Sequence, residues 1–427
     1  MIRIYHTDTI DEEEIFSRSS EQRDVAPAVS AIIAEVKERK DEALKEFTER
    51  FDGVRLDDLA VSEKEIEEAV REVDPALIAV MSEAAERIAH YHERQVRYDY
   101  SVTDEAGVVL GQRVLPLERV GVYVPGGTAA YPSTVLMDTI PARIAGVPEI
   151  IMVTPPGRDG KVNPNILAAA YIAGVTKIFK VGGAQAVAAL AYGTESIPSV
   201  DKIVGPGNAY VAEAKKQVFG QVGIDMVAGP SEVLVIADAL SNPVYVAADL
   251  LSQAEHDRMA SAVLITDSAS LAEAVRDEIE AQLRTLEREE IARASIEHNG
   301  KIIVVKDLKE GVRCSNRIAP EHLELCVEDP FAMLGEITNA GSVFLGRYNP
   351  EPLGDYFAGP NHTLPTMGTA RFYSPLSVDD FVKRMQYSYF SKDALAEHAG
   401  KVSLFARSEG LTAHARAIEL RFEEEEK

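Results

Sequence analysis

From residue 149 onward the chain alternates between short runs that are apolar at nearly every residue and stretches with helical spacing. That alternation restricts the fold more than any other feature of the sequence. "EIIMVTPP" (149–156) reads as a strand, and Asn163-Pro164 opens a helix through "NILAAAYIAG". "KIFKV" (177–181) runs into "GGAQAVAALAYG", and "KIVGPGN" (202–208) runs into "AYVAEAKKQVF". A second series begins with "VLVIAD" (233–238), followed by a helix that Ser241-Asn242-Pro243 should cap. "AVLITD", an amphipathic segment at 269–290, "KIIVV", "LELCV" and "SVFLG" (342–346) continue it. A strand without a polar face must be covered on both sides, and a helix between successive strands supplies the crossover that parallel pairing needs. The chain therefore reads as α/β, with two parallel-sheet units in tandem.

The segments before this alternation read as helical. Apolar residues recur at three- and four-residue steps through Val29, Ile32, Ile33, Val36, Leu44 and Phe47, and again through Leu77, Val80, Met81, Ala84, Ile88 and Tyr91. "FDGV" (51–54) supplies a glycine stop between them. The division predicted is 1–25 as an N-terminal segment, 26–122 as a helical part joined to the second α/β domain, 123–230 and 231–376 as the two α/β domains, and 377–427 as a C-terminal helical segment. A Gly/Pro-rich stretch, "YNPEPLGDYFAGPNHTLPT" (348–366), is too turn-laden for a simple connection and marks a functional loop.

The net charge of −25 leaves no basic stripe for a nucleic-acid partner. Small acidic runs, Asp11–Glu14 and Glu423–Glu426, fit a well-solvated surface or adaptation to salt. No window is long and apolar enough to span a membrane, and "MIRIYHTDTIDEEE" lacks the pattern of a secretory signal. Two cysteines, Cys314 and Cys326, cannot build a disulfide scaffold, so a cytoplasmic location is expected.

Four places concentrate proton-transfer or ligating side chains: Gln253 with His256, Glu321-His322, Asp355 with His362, and Glu409 with His414. Imidazole nitrogens with carboxylate and amide oxygens suit zinc or a similar divalent ion. Each also has a plainer reading: a polar helix end for Gln253/His256, an Asx-turn for Asp355, a surface histidine for His414. In "IAPEHLEL", Pro320 stops the preceding element, so Glu321 and His322 enter a strand from a turn, as an acid/base pair or as a solvated Glu beside a partly buried His. Glycine-rich turns follow strands at "YVPGGT" (123–128), "VGGAQA" (181–186) and "VGPGNAY" (204–210). Such turns cradle nucleotides, but none fits G-x-G-x-x-G and no Walker lysine is present.

Taken together, "VYVPGG", "KVGGAQA", "DKIVGPGN", "AGPSEVLVIAD", "DLLSQAEHD", "APEHLEL", "GSVFLG", "GDYFAGPNHTLPT" and "EGLTAH" resemble the histidinol dehydrogenase family, in family order over nearly the whole chain. The resemblance implies two incomplete Rossmann-like domains with small helical terminal parts. It implies one zinc per subunit held by Gln253, His256, Asp355 and His414, these also lying against the substrate, and Glu321 and His322 as the acid/base pair. Ser231, His362 and Glu409 then match substrate contacts, and Tyr123, Gln185 and Asn208 match contacts to NAD. It further implies a homodimer exchanging C-terminal segments, and oxidation of histidinol through its aldehyde to histidine. A dehydrogenase of another small amino or sulfonated alcohol, and a zinc hydrolase, are the competing expectations.

Overall fold

A computed structural model describes residues 1–9, 15–16, 24–126 and 130–422. Both acidic runs, Asp11–Glu14 and Glu423–Glu426, lie outside these, as do Gly127 and Thr128 of the "YVPGGT" turn. The described chain divides into two compact units, Met1–Gln95 with Leu117–Phe381, and Val96–Pro116 with Val382–Lys427.

The larger unit carries both apolar series as parallel sheets. One has five strands in the spatial order Lys177–Lys180, Glu149–Thr154, Arg119–Tyr123, Lys202–Val204, Gly223–Ile224. The other has six, in the order Arg3–His6, Lys301–Val304, Ser261–Thr266, Glu232–Ala237, His322–Cys326, Ser342–Leu345. Counting each series from its own first strand, both sheets run third, second, first, fourth, fifth, the second with Arg3–His6 added at its edge, so the two tandem units share one topology. This is the doubly wound order with its last strand missing.

Successive strand residues feed opposite faces. Ile151 and Val153 join one core with Val187 and Leu190, while Ile150 and Met152 join another with Ile140 and Leu167. In the second sheet Val233 and Val235 face Leu250 and Ile279, while Leu234 and Ile236, with Leu323 of the neighbouring strand, face Val312. Each such fully buried aliphatic side chain contributes about 1.5–3 kcal/mol, which is why the strands read as unbroken apolar runs. The predicted caps form: Asn163 Oδ1 accepts from Asn165 N and Asn242 Oδ1 from Val244 N, each at 2.9 Å.

Four boundaries move. The N-terminal segment is not separate, since Arg3–His6 is an edge strand of the second sheet. The helical part packs on the first sheet, not the second: Val29, Val36 and Leu44 cover one face and Met81 and Ile88 the other. The strand Arg119–Tyr123 lies across the division expected at 122/123. The C-terminal part is not wholly helical, because Val382–Phe390 is a nine-residue strand antiparallel to Val108–Pro116. That sheet and the helices Lys392–Ser408 and Thr412–Glu419 make up the smaller unit. Among the described residues no helix is long and apolar enough to cross a membrane.

Candidate active site

After the helix Leu308–Ile318 the chain turns sharply at Ala319, whose φ is 51°, and Pro320 prevents the helix from continuing. Glu321 and His322 are thereby delivered, both buried, to the amino end of the strand His322–Cys326. Ser231, half-buried, precedes the neighbouring strand at the same edge. The helix Pro243–Ala254 runs back across the sheet, so Gln253, in its last turn, and His256, just beyond, reach that edge too. Gln253 is 1% exposed. Ligands of doubly wound sheets ordinarily sit at the carboxyl ends of strands. Here the titratable cluster occupies the opposite edge.

The His322 ring is fixed by its neighbours. Nδ1 donates to the Glu232 carbonyl oxygen at 2.9 Å, with the Gln253 amide 3.2 Å away. A proton committed to Nδ1 leaves Nε2 as the basic nitrogen. Nε2 is buried without a hydrogen-bond partner, 3.8 Å from Glu351 Oε1 and 4.0 Å from Asp355 Oδ1. Burial lowers the His322 pKa and outweighs the Asp355 charge and the Glu232 hydrogen bond, which work to raise it, so the ring is a neutral base. Burial likewise raises Glu321 well above the usual carboxylate range, although Glu232 N–H donates to its Oε2 at 2.8 Å. A carboxyl whose hold on a proton is strengthened and an imidazole whose hold is weakened thus stand side by side, 3.7 Å apart.

Asp355 and His362 form the other half. Burial works to raise Asp355, but the His362 imidazole, hydrogen-bonded to it, outweighs burial and holds the carboxyl well below its ordinary range. The same pairing raises His362 against the opposing effect of its own burial. His362 Nδ1 stands 3.6 Å from Asp355 Oδ1 and 3.1 Å from its carbonyl oxygen. The next residue, Thr363, donates from Oγ1 to the buried Asp138 at 2.6 Å, tying this loop to the helix Pro132–Ile144 of the first sheet.

The sequence reading missed Glu351 and the pair Asp249/Glu324. Glu351 is 1% exposed, and its Oε1 is orphaned beside His322 Nε2. Burial first, then the Asp355 charge, raises its pKa. Its backbone N–H donates to Glu324 Oε1 at 2.8 Å. Glu324 in turn is hydrogen-bonded to Asp249, which burial pushes up to about 6. Glu351 and Asp355 are four apart on the short helix Glu351–Tyr356, the one sequence signal that places them on a common face.

The glycine-rich turns sit at the carboxyl edge of the first sheet. Tyr123 ends one strand, and its buried hydroxyl accepts from Gly183 N at 3.0 Å. Gly183 has φ +66°, and a Cβ there would lie 2.7 Å from Gln185 Oε1. Gly205 has φ +111°, and a Cβ there would overlap the Tyr123 carbonyl oxygen and approach Asp138 Oδ2 to 3.0 Å. Asn208 Oδ1 caps the helix Ala209–Val218, accepting from Tyr210 N and Val211 N at 3.0 and 3.2 Å. Tyr123, Gln185 and Asn208 line one cavity of about 1660 Å³. Glu409 and His414 belong to the smaller unit, where both are exposed.

The model of the family described as histidinol dehydrogenase matches residues 16–422. The chain belongs to the histidinol dehydrogenase family. It is 56% identical to the histidinol dehydrogenase of Geobacillus kaustophilus over 412 residues, 96% of each chain. It is 52% identical to that of Clostridium acetobutylicum over 427 residues, 99% of each. The crystal structure of histidinol dehydrogenase from Elizabethkingia anophelis superposes with a TM-score of 0.95 at 39% identity, covering 100% of this chain and 99% of that one. Membership of a dehydrogenase family makes the chain an oxidoreductase.

Proposed function

We propose that the chain oxidises histidinol to histidine, the closing reaction of histidine biosynthesis, in two NAD-linked steps at a zinc-dependent site. The observation that carries this reading is the buried, partnerless His322 Nε2, a neutral base flanked by the Glu351 and Asp355 carboxyls. Its relatives named histidinol dehydrogenase supply the substrate.

The residues fit a cation. Asp355 and Glu351 bring carboxyl oxygens within 4.8 Å of each other, and Glu351 Oε1 is orphaned; His322 Nε2 closes the group and is left free as the base. Gln253 and His256 approach from the helix end beside them. Gln253, His256 and Asp355 would hold zinc, with His414 supplied by a second copy of the chain. When bound, zinc supplies Lewis-acid anchoring of the substrate's polar head, and NAD supplies the hydride acceptor.

The remaining work falls to the chain's own groups. His322 Nε2 takes the hydroxyl proton as hydride leaves the carbinol carbon, giving the aldehyde. Glu321, beside it, orients and deprotonates the water that adds to that aldehyde, and loss of a second hydride gives the carboxylate. His362, whose hold on a proton Asp355 strengthens, contacts the substrate; Ser231 and the second copy's Glu409 complete its polar surroundings, Glu409 suiting an ammonium group. Tyr123, Gln185 and Asn208 hold the dinucleotide. Exposed Tyr98, Tyr100, Leu404 and Phe405 in the smaller unit support a homodimer that covers them.

Full-length protein supplied with zinc, NAD and histidinol should generate two NADH per histidine formed. No NADH with histidinol, against turnover of another amino or sulfonated alcohol, would move the substrate assignment within the family. Hydrolytic activity without NAD would favour a zinc hydrolase.

A further inference from the structure

Behind the acid/base cluster stands a pair of acidic groups, Glu324 and Asp249, that the proposed reaction does not use. His322 and Glu324 are two apart on the strand His322–Cys326 and therefore share one face of it. Gln253 and Asp249 are four apart on the helix Pro243–Ala254 and share the face that meets that strand. Strand and helix thus touch in two polar rungs: Gln253 with His322, 3.2 Å apart, and Asp249 hydrogen-bonded to Glu324. Two carboxyl groups bond to each other only through a proton, so the second rung holds one.

This rung supports the short helix Glu351–Tyr356. Six residues do not sustain a helix by themselves, and Pro350 at its start has no side chain that could cap it. The cap comes from another element, because Glu324 Oε1 accepts from Glu351 N at 2.8 Å. Ser252, between Asp249 and Gln253 in the sequence, places its Oγ 3.4 Å from Glu351 Oε2. The other grip is apolar: a Cβ at Gly354 would overlap the Phe344 ring, so the helix lies flush on the strand Ser342–Leu345. The helix carries Glu351 and Asp355 one turn apart, 3.8 and 4.0 Å from His322 Nε2, and any slip of it would displace both. Glu324 is itself buried, and its oxygens are engaged by Glu351, Asp249 and the Cys326 thiol.

We propose that Glu324, buttressed by Asp249, is a positioning residue: by capping Glu351 N it fixes where Asp355 meets the cation and where Glu351 stands beside His322. It acts through the helix it holds, not by contact with the substrate. The inference rests on the zinc-dependent reading above.

Full-length wild type, Glu324→Leu and Glu324→Gln test it. Zinc affinity is read by equilibrium competition with a chelator, and turnover by steady-state kinetics with histidinol and NAD. Leucine removes the cap, leaves a buried N–H unpaired and takes away the Asp249 bond, so zinc affinity and kcat should each fall about tenfold or more. The KM for NAD should stay within about twofold, because the glycine-rich turns belong to the other sheet, whereas a general loosening of the fold would raise it as well. Glutamine keeps an acceptor for Glu351 N and a donor for Asp249, and should hold both quantities within about threefold of wild type. A folded Glu324→Leu that loses less than about threefold in both would overturn the proposal, as would Glu324→Gln losing as much as Glu324→Leu. If Glu324→Leu does not fold, Asp249→Ala decides at a half-buried helix position: a loss of zinc affinity of about threefold or more supports the rung, and a smaller one overturns it. Wild type that binds no zinc would overturn the function and this inference together, whereas an active wild type with an unaffected Glu324→Leu would overturn this inference alone.

Discussion

Replacing His322 with asparagine should remove one nitrogen's chemistry and spare the other's bond. Nδ1 donates to the Glu232 carbonyl at 2.9 Å, and an asparagine amide can keep that interaction. Nothing in asparagine reproduces the base at Nε2, which has no hydrogen-bond partner and sits 3.8 Å from Glu351 and 4.0 Å from Asp355. A positioned general base is worth about 10²–10⁴ in rate, or about 2.7–5.5 kcal/mol of transition-state stabilisation. His322→Asn should therefore slow histidinol oxidation by that factor while oxidation of supplied histidinaldehyde falls about tenfold at most. NADH absorbance in single-substrate assays separates the two. Burial lowers the His322 pKa, so the wild-type alcohol step should stay active at and below the ordinary histidine pKa of about 6.5. Equal loss of both steps in His322→Asn, or a loss under about tenfold in the first, would refute the assignment of Nε2 as the base.

Gln253→Ala should lose zinc before it loses folding, and stoichiometric zinc in the purified variant would remove Gln253 from the ligand set. Glu351→Gln relieves a carboxyl that burial and Asp355 both penalise, so metal-free variant should melt higher than metal-free wild type while turnover falls; a lower melting temperature would contradict this. Burial pushes Asp138 up to about 7, so its folded form holds a proton that the unfolded chain releases near pH 4. The Asp138 contribution is thus full below that lower value and declines as pH rises toward 7, and Asp138→Asn should flatten this part of the stability profile measured by denaturant unfolding. Gly205→Ala forces a Cβ against the Tyr123 carbonyl at φ +111° and should cost on the order of 2–3 kcal/mol, read as a shifted unfolding midpoint.

The two sheets were legible because parallel strands buried on both faces leave a run no other element leaves, and because Asn163-Pro164 and Asn242-Pro243 announce helix starts. The strand Val382–Phe390 was not. All but its first residue are exposed, and its partner Val108–Pro116 lies more than two hundred and fifty residues earlier, beyond any local pattern. Glu321 and His322 were readable from the proline before them. Glu351 was hidden inside a Pro/Gly-rich stretch whose composition signals turns, and only its burial reveals it. Asp138, Asp249 and Glu324 sit in ordinary helical or strand sequence, where one acidic letter carries no record of whether water reaches it. The edge of the second sheet that holds the cluster also ran against the general rule for such folds, so topology alone would have pointed to the wrong end.

In the proposed reaction, His322 from one copy and His414 from another complete the same site. Co-expressing His322→Asn with His414→Asn, each inactive alone, tests it directly. If sites are composite, mixed dimers carry one doubly damaged site and one intact site, and random pairing should restore about a quarter of wild-type activity. If every site draws both histidines from a single chain, no mixed dimer holds an intact site and the mixture stays as inactive as its parents.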